Sequence, residues 1–141
     1  MMKMIHSYWA ILVIALLLFT VINALLNSKK EFKDKDLRIA LFTLIVSHIQ
    51  LLIGFGWYFM SPAFKHLKES GMGATMKDSH ARMLTVEHPI MMILAIVFIT
   101  IGFSKHKKQT TDAGKFKTIL IWYGLALLFV LSRIPWAQWF N

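Results

Sequence analysis

Five ionisable side chains fall in or beside apolar stretches of this chain, where such residues are costly. His48, Glu87 and His88 lie inside two of these stretches, His6 stands just before the first, and Arg133 lies near the end of the last. Titratable groups in an apolar span mark a functional site by default. Imidazole is a good iron ligand, and two histidines facing the inside of a helix bundle can hold b-type haem. His6, His48 and His88 are therefore candidate axial ligands, of which two would bind, and His88 belongs to both pairs considered below.

The stretches that carry these residues are long enough to cross a membrane. The chain is 57% hydrophobic and 16% charged, whereas soluble domains carry charges at about a quarter of their positions. The apolar residues fall into four blocks of about 20 residues, the length of helix that spans a hydrocarbon core of roughly 30 Å. The blocks are "YWAILVIALLLFTVINALL" (8–26), "IALFTLIVSHIQLLIGFGWYFM" (39–60), "MLTVEHPIMMILAIVFITIGF" (83–103) and "TILIWYGLALLFVLSRIPW" (118–136).

These blocks predict an all-α membrane protein, a single domain embedded in the lipid bilayer. We expect four transmembrane helices over about residues 5–27, 38–60, 78–104 and 117–138. Short connections make sequential helices antiparallel neighbours, so the expected architecture is an up-down four-helix bundle. The first block closes on "NALLNSKK", which is typical of a retained helix rather than of a cleaved signal peptide. The longest connection, residues 61–82, has room for a short surface helix broken at "GMG".

The net charge of +9 comes largely from the connections between the blocks, which favours a role in membrane topology over nucleic-acid binding. Ten basic residues lie on one side of the membrane and five on the other, so the positive-inside rule places the Lys-rich connections in the cytoplasm and both termini outside. Cysteine is absent, which excludes disulfides, iron–sulfur clusters and c-type haem attachment. The ten basic residues on the predicted cytoplasmic side are Lys29, Lys30, Lys33, Lys35, Arg38, Lys105, Lys107, Lys108, Lys115 and Lys117. The five basic residues on the other side are Lys3, Lys65, Lys68, Lys77 and Arg82.

Small and polar residues indicate which helix faces point into the bundle. Helices in lipid pack through small residues, and His88 shares such a face with Thr85 and Gly102. Helix two carries a polar and small stripe, with His48 on its border, made of Thr43, Ser47, Gln50 and Gly54. We therefore expect the polar groups of the spans to face the interior. The remaining histidines lie in or near connections, where we expect surface positions: His66, His80 and His106.

Counting residues from the cytoplasmic helix ends gives the depth of each candidate. Glu87, His88 and Arg133 lie near one level in the outer half, His6 lies further out, and His48 lies near mid-membrane. The diagonal pair His6–His88 has an axial offset of about 5 residues, roughly 7 Å, and the adjacent pair His48–His88 about 7 residues, roughly 10 Å. Both pairs remain open as axial ligands.

The cofactor-binding set predicted around the histidines consists of Arg133, Arg82 and Glu87. Haem b carries two propionates that need cations, and the two arginines are candidates on the outer side. Glu87 has two interpretations: an ion pair with Arg133 at the same level, or a proton relay beside a quinone. Pro89 removes one backbone hydrogen bond and should kink helix three next to His88.

The segments "HSYWAILVIALLL", "SHIQLLIGFGWYFMSP", "TVEHPIMMILAI" and "SRIPW" resemble a family of small four-helix membrane proteins of Bacteroidota that are labelled cytochrome b-like. The resemblance covers nearly the whole chain, and the histidine-bearing segments are its most specific parts. It points at His6, His48 and His88, and it implies haem b and electron exchange with a quinone. In such a bacterium the expected location is the inner membrane, multi-pass with periplasmic termini. The electron partners would be quinol and a membrane or periplasmic redox protein.

Two other functions remain open from the sequence. A non-redox accessory subunit of a larger membrane complex would use the same helices only for packing. A small transporter would line a polar path with Glu87, His88 and Arg133, but the chain lacks the discontinuous helices and the inverted repeat of such proteins. A copper or zinc site is less well supported than either, because no compact His or Met spacing occurs.

Overall fold

The computed structural model describes residues 2–134 and 136, and the regular structure in that part of the chain is helical. Four of the helices are long and apolar enough to cross a membrane, which confirms the predicted all-α, multi-pass architecture. The fourth helix in chain order contains a π-turn at Met83–Glu87. The helices are α1 (Met2–Leu26), α2 (Asp34–Met60), α3 (Pro62–Lys77), α4 (Ser79–Lys107) and α5 (Asp112–Ser132).

The four spanning helices form an antiparallel up-down bundle. α1 packs against α2 and α5, and α4 packs against the same two helices from the other side. α1 and α4 therefore lie on one diagonal, as do α2 and α5. Two ends of the bundle are distinguished below: the lysine end, with the connections 27–33 and 108–111, and the histidine end, where α1 begins, α2 ends, α4 begins and α5 ends.

Polar caps set the helix starts at the lysine end about one and a half turns before the apolar blocks. The carboxylate of Asp36 accepts the backbone N–H of Lys33 at 2.9 Å, so α2 begins at Asp34 rather than near residue 38. The hydroxyl of Thr111 accepts the N–H of Gly114 at 3.0 Å and caps α5. Such caps satisfy backbone donors that have no partner within the helix, which the apolar pattern alone does not show.

At the other end of α5 the helix stops earlier than expected. It ends at Ser132, and Arg133 leaves the helical region with φ −126° and ψ 20°. Ile134 precedes a proline, and the residue before a proline disfavours the α conformation. The helix was expected to reach residue 138; residues 137 and 138 lie outside the described part of the chain.

The connection between α2 and α4 forms the surface helix α3, which packs against the end of α2 and the first turns of α4. Ser61 caps it, its hydroxyl accepting the N–H of Phe64 at 3.2 Å. Gly71 interrupts the helix with φ +85°, a conformation that a glycine adopts readily. The predicted break at "GMG" therefore lies within α3, and α3 covers one side of the histidine end.

The helices approach each other closely where side chains are small. A Cβ added to Gly102 on α4 would lie 2.5 Å from the Cβ of Trp122 on α5, so only glycine fits there. Across the bundle the hydroxyl of Tyr123, which is fully buried, donates to the carbonyl of Ala40 at 2.9 Å. These two contacts pack α4 and α2 tightly against α5 in the half of the bundle nearer the lysine end.

Candidate functional site

The turn that contains "EHP" is shaped by the proline. In a regular α-helix the carbonyl of Thr85 would accept the amide of residue 89, but Pro89 has no N–H. The hydroxyl of Tyr58 on α2 donates to this carbonyl at 3.0 Å instead. One residue before the proline, the N–H of His88 donates to the carbonyl of Met83, five residues back. A π-turn therefore follows the first α-helical turn of α4.

The π-turn brings Arg82 and Glu87 together. On an α-helix, side chains that are neighbours are three or four residues apart, so side chains five positions apart do not meet. In a π-turn, where the backbone hydrogen bonds span five residues, side chains five positions apart lie above one another. The Nε of Arg82 lies 2.9 Å from Oε1 of Glu87. The sequence predicted Arg82 as a candidate partner for a haem propionate; its contact with Glu87 was not predicted, because it depends on the π-turn.

The other carboxylate oxygen of Glu87 faces α5. Its Oε2 lies 3.5 Å from the Nε of Arg133, which confirms the predicted ion pair between these two residues. Glu87 thus bridges two guanidinium groups, which leaves the cluster of three with a formal charge of +1. Both arginine side chains remain more than a third exposed, at 36% for Arg82 and 39% for Arg133, so each can still reach an anion.

His88 lies beside this cluster, half-buried, and its ring is oriented by α5. Its Nδ1 lies 2.8 Å from the carbonyl oxygen of Arg133. Because a carbonyl oxygen can only accept, Nδ1 carries the proton, and in the neutral ring Nε2 is left with a free lone pair. This is the arrangement of a metal-ligating histidine, whose other nitrogen usually donates to a carbonyl or carboxylate.

His6 on α1 faces His88 across the diagonal of the bundle. The two ring centroids are 6.3 Å apart, and the ring planes are nearly perpendicular, at 88°. The Nδ1 of His6 is buried and has no hydrogen-bond partner. Gly54 on α2 makes room for the ring: a Cβ there would lie 3.3 Å from its Cε1. The amide of Gln50 donates to the His6 carbonyl at 2.9 Å and ties α1 to α2 at this level.

His48 lies away from this pair. Its side chain is exposed on the outer surface of α2, where the expectation of an interior position is wrong. Its ring nitrogens lie near the Leu44 carbonyl, at 2.8 Å, and the Thr100 hydroxyl, at 3.3 Å. The interior position on this turn belongs to Ser47, and successive residues on an α-helix point about 100° apart. His48 and His88 are therefore not brought together.

His106 lies in a different environment from the one expected, and Tyr58 was missed as a site residue. His106, expected at the surface, is 1% exposed, because Phe32 from the 27–33 connection packs over it with ring centroids 5.5 Å apart. Tyr58 was not a candidate in the sequence, although the missing N–H of Pro89 signalled that some donor was needed. Within residues 2–134 and 136, no group of three His, Cys, Asp or Glu side chains is arranged to hold a metal ion.

Comparison of the chain with protein-family models, with curated proteins and with solved structures finds no match. The function is therefore inferred from the geometry of the histidine end.

Proposed function

We propose that the chain is a b-type haem protein of the membrane that carries electrons, with His6 and His88 as the two axial ligands. The observation that carries this proposal is the separation of the two rings. A histidine nitrogen lies about 2.0–2.1 Å from a bound metal, so two imidazoles on opposite sides of one ion have centroids roughly 6 Å apart. The observed distance is 6.3 Å.

The surroundings of the pair support the same assignment. The Arg133 carbonyl orients the ring of His88 so that Nε2 is free to bind iron. Arg82 and Arg133, both partly exposed at this end of the bundle, would hold the propionates, and Glu87 offsets one of their two positive charges. His48, the third ligand candidate of the sequence analysis, has no place in this arrangement.

Bound haem would supply a one-electron couple at the iron. Two axial histidines would leave the iron without an open position, which favours electron transfer over oxygen chemistry. A quinol and a membrane or periplasmic redox protein would then be the electron partners, consistent with the resemblance to cytochrome b-like proteins of Bacteroidota. We place the protein in the bacterial inner membrane, with the histidine end on the periplasmic side as the distribution of basic residues favours.

The test is an absorption spectrum of the detergent-purified protein, oxidised and then reduced with dithionite, with a pyridine haemochrome assay. We expect a reduced α-band and about one haem per chain. His6→Ala and His88→Ala should each lose haem or its low-spin spectrum. His48→Ala is the matched control, since it removes a histidine that the structure keeps apart, and it should retain the spectrum. A protein that stays colourless after expression with ample haem would exclude the proposal.

A non-redox accessory subunit is the second candidate function, and one observation favours it. The His88 ring is already bonded to the Arg133 carbonyl, and Glu87 is already paired with two arginines, so much of the cluster is satisfied without a cofactor. In this case the purified protein is colourless, and affinity purification from the native membrane recovers a larger complex in a fixed ratio to this chain.

A further inference from the structure

A line of buried or half-buried polar side chains follows the interface of α1 and α2 from the lysine end to the histidine end. We call it the polar seam. On α2 its members recur every three or four residues, apart from one seven-residue step, so that they lie on one face of the helix. The members, from the lysine end, are Asp36, Asn23, Thr20, Thr43, Ser47, Gln50 and His6.

The first half of the polar seam contains two hydrogen-bonded pairs, each of which joins α1 to α2. The amide of Asn23 donates to Asp36 at 2.7 Å, and Asp36 is only 3% exposed. Further into the bundle, the hydroxyls of Thr20 and Thr43 lie 2.8 Å apart, and either can donate to the other. Each hydroxyl also lies within hydrogen-bond distance of a carbonyl of its own helix, at 2.7 Å for Thr20 and 2.9 Å for Thr43. Hydroxyl pairs of this kind can pass a proton in both directions, because each oxygen is both donor and acceptor.

The second half of the polar seam contains polar atoms without partners. The Oγ of Ser47, whose side chain is 1% exposed, has no hydrogen bond, and neither do Oε1 of Gln50 and Nδ1 of His6. Buried polar atoms are nearly always paired, with protein or with ordered water. Ser47 lies about one turn before Gln50 on α2, and Gln50 lies at the level of His6. The three unpaired atoms together provide the two to four polar partners that a buried water molecule needs.

We propose that the polar seam holds a file of water molecules and conducts protons between Asp36 at the lysine end and the water outside the histidine end, beyond the level of Gln50. Asp36 and Gln50 are separated by 14 residues of α2, about 21 Å at the helical rise, which is two thirds of a hydrocarbon core of roughly 30 Å. Water bridges Ser47, Gln50 and Nδ1 of His6, and the threonine pair continues the path. The proposal does not depend on haem, because the polar seam consists of side chains of α1 and α2 alone.

Proton flux through the isolated protein tests this proposal. The purified chain is reconstituted into phosphatidylcholine vesicles that contain pyranine, with potassium and valinomycin present to balance charge, and the internal pH is followed after an external acid pulse. Thr43→Val keeps the side-chain shape but removes the hydroxyl, and Ser47→Ala removes an oxygen that has no protein partner, so neither change should prevent folding. Thr100→Val is the matched control, because Thr100 belongs to α4, outside the polar seam, and is exposed on the outer surface of that helix.

We expect vesicles with the wild-type chain to equilibrate pH faster than protein-free vesicles. The Thr43→Val and Ser47→Ala variants should be slower than wild type by about tenfold, which is the effect of removing one hydrogen bond from the path. The Thr100→Val variant should match wild type. Equal rates in wild-type and protein-free vesicles would overturn the proposal. So would wild-type rates in both seam variants, or an equal loss in all three variants, which would show that the hydroxyls of the seam are not the path.

Discussion

The bond between Tyr58 and the Thr85 carbonyl gives the sharpest prediction about the turn that carries His88. Tyr58→Phe removes the hydroxyl and leaves a carbonyl that Pro89 cannot pair. An unsatisfied buried acceptor costs about 1–3 kcal/mol in soluble proteins. Side-chain hydrogen bonds within membranes average about 0.6 kcal/mol and reach about 1.7. Since Tyr58 is half-buried, we expect Tyr58→Phe to lower the free energy of unfolding by about 1 kcal/mol.

A double-mutant cycle with Pro89→Ala isolates the cause. Alanine at position 89 restores an N–H that can bond the Thr85 carbonyl, so Tyr58→Phe should cost little in that background. The assay is equilibrium unfolding in mixed micelles by SDS titration, followed by circular dichroism. Tyr123→Phe is the control, because its hydroxyl bonds a carbonyl on α2 away from the proline, and its cost should be equal in both backgrounds. An equal cost of Tyr58→Phe with and without the proline would refute the reasoning.

Two further predictions concern packing and charge. Gly102→Ala should destabilise the fold by about 1–3 kcal/mol, since its Cβ would overlap Trp122; Gly124→Ala, which meets nothing within 4 Å, should stabilise the same helix bundle by up to about 1 kcal/mol. The unfolding titration should show changes in the free energy of unfolding of opposite sign for the two variants, and changes of the same sign would contradict this prediction. Glu87→Gln keeps the shape of the side chain but breaks both ion pairs. Because these groups are partly exposed, we expect the free energy of unfolding to fall by only about 0.5–1 kcal/mol, and by less at high salt. A loss unaffected by salt would show that charge is not the cause.

The fold followed from the sequence because its main signal, four apolar blocks of membrane length, reports directly on burial in lipid. The level of Glu87 and Arg133 also followed, since helical rise converts residue counts into depth. The face of the helix on which each residue lies was harder to predict. His48 and Ser47 are neighbours in sequence, and a difference of one position decides which of them faces the interior. The stripe that contained Ser47 was identified, but His48 on its border was assigned to the wrong side.

The contacts that depend on irregular backbone could not be predicted at all. Pro89 showed that an amide was missing, but not that a π-turn and the hydroxyl of Tyr58 would compensate. The contact between Arg82 and Glu87 depends on that turn, since a spacing of five carries no signal in a regular helix. Likewise, the burial of His106 depends on Phe32, which belongs to a connection whose path the apolar pattern does not define.

The proposed ligation of haem iron by His6 and His88 is tested most directly by the electron paramagnetic resonance spectrum of the oxidised protein at low temperature. Two axial imidazoles make ferric haem low-spin, and near-perpendicular ring planes, 88° apart here, give the strongly anisotropic form of that signal. We expect this signal in the wild-type chain and in His48→Ala, and its loss in His6→Ala and His88→Ala. A high-spin signal, no haem signal, or a low-spin signal that disappears with His48 would contradict the proposed site.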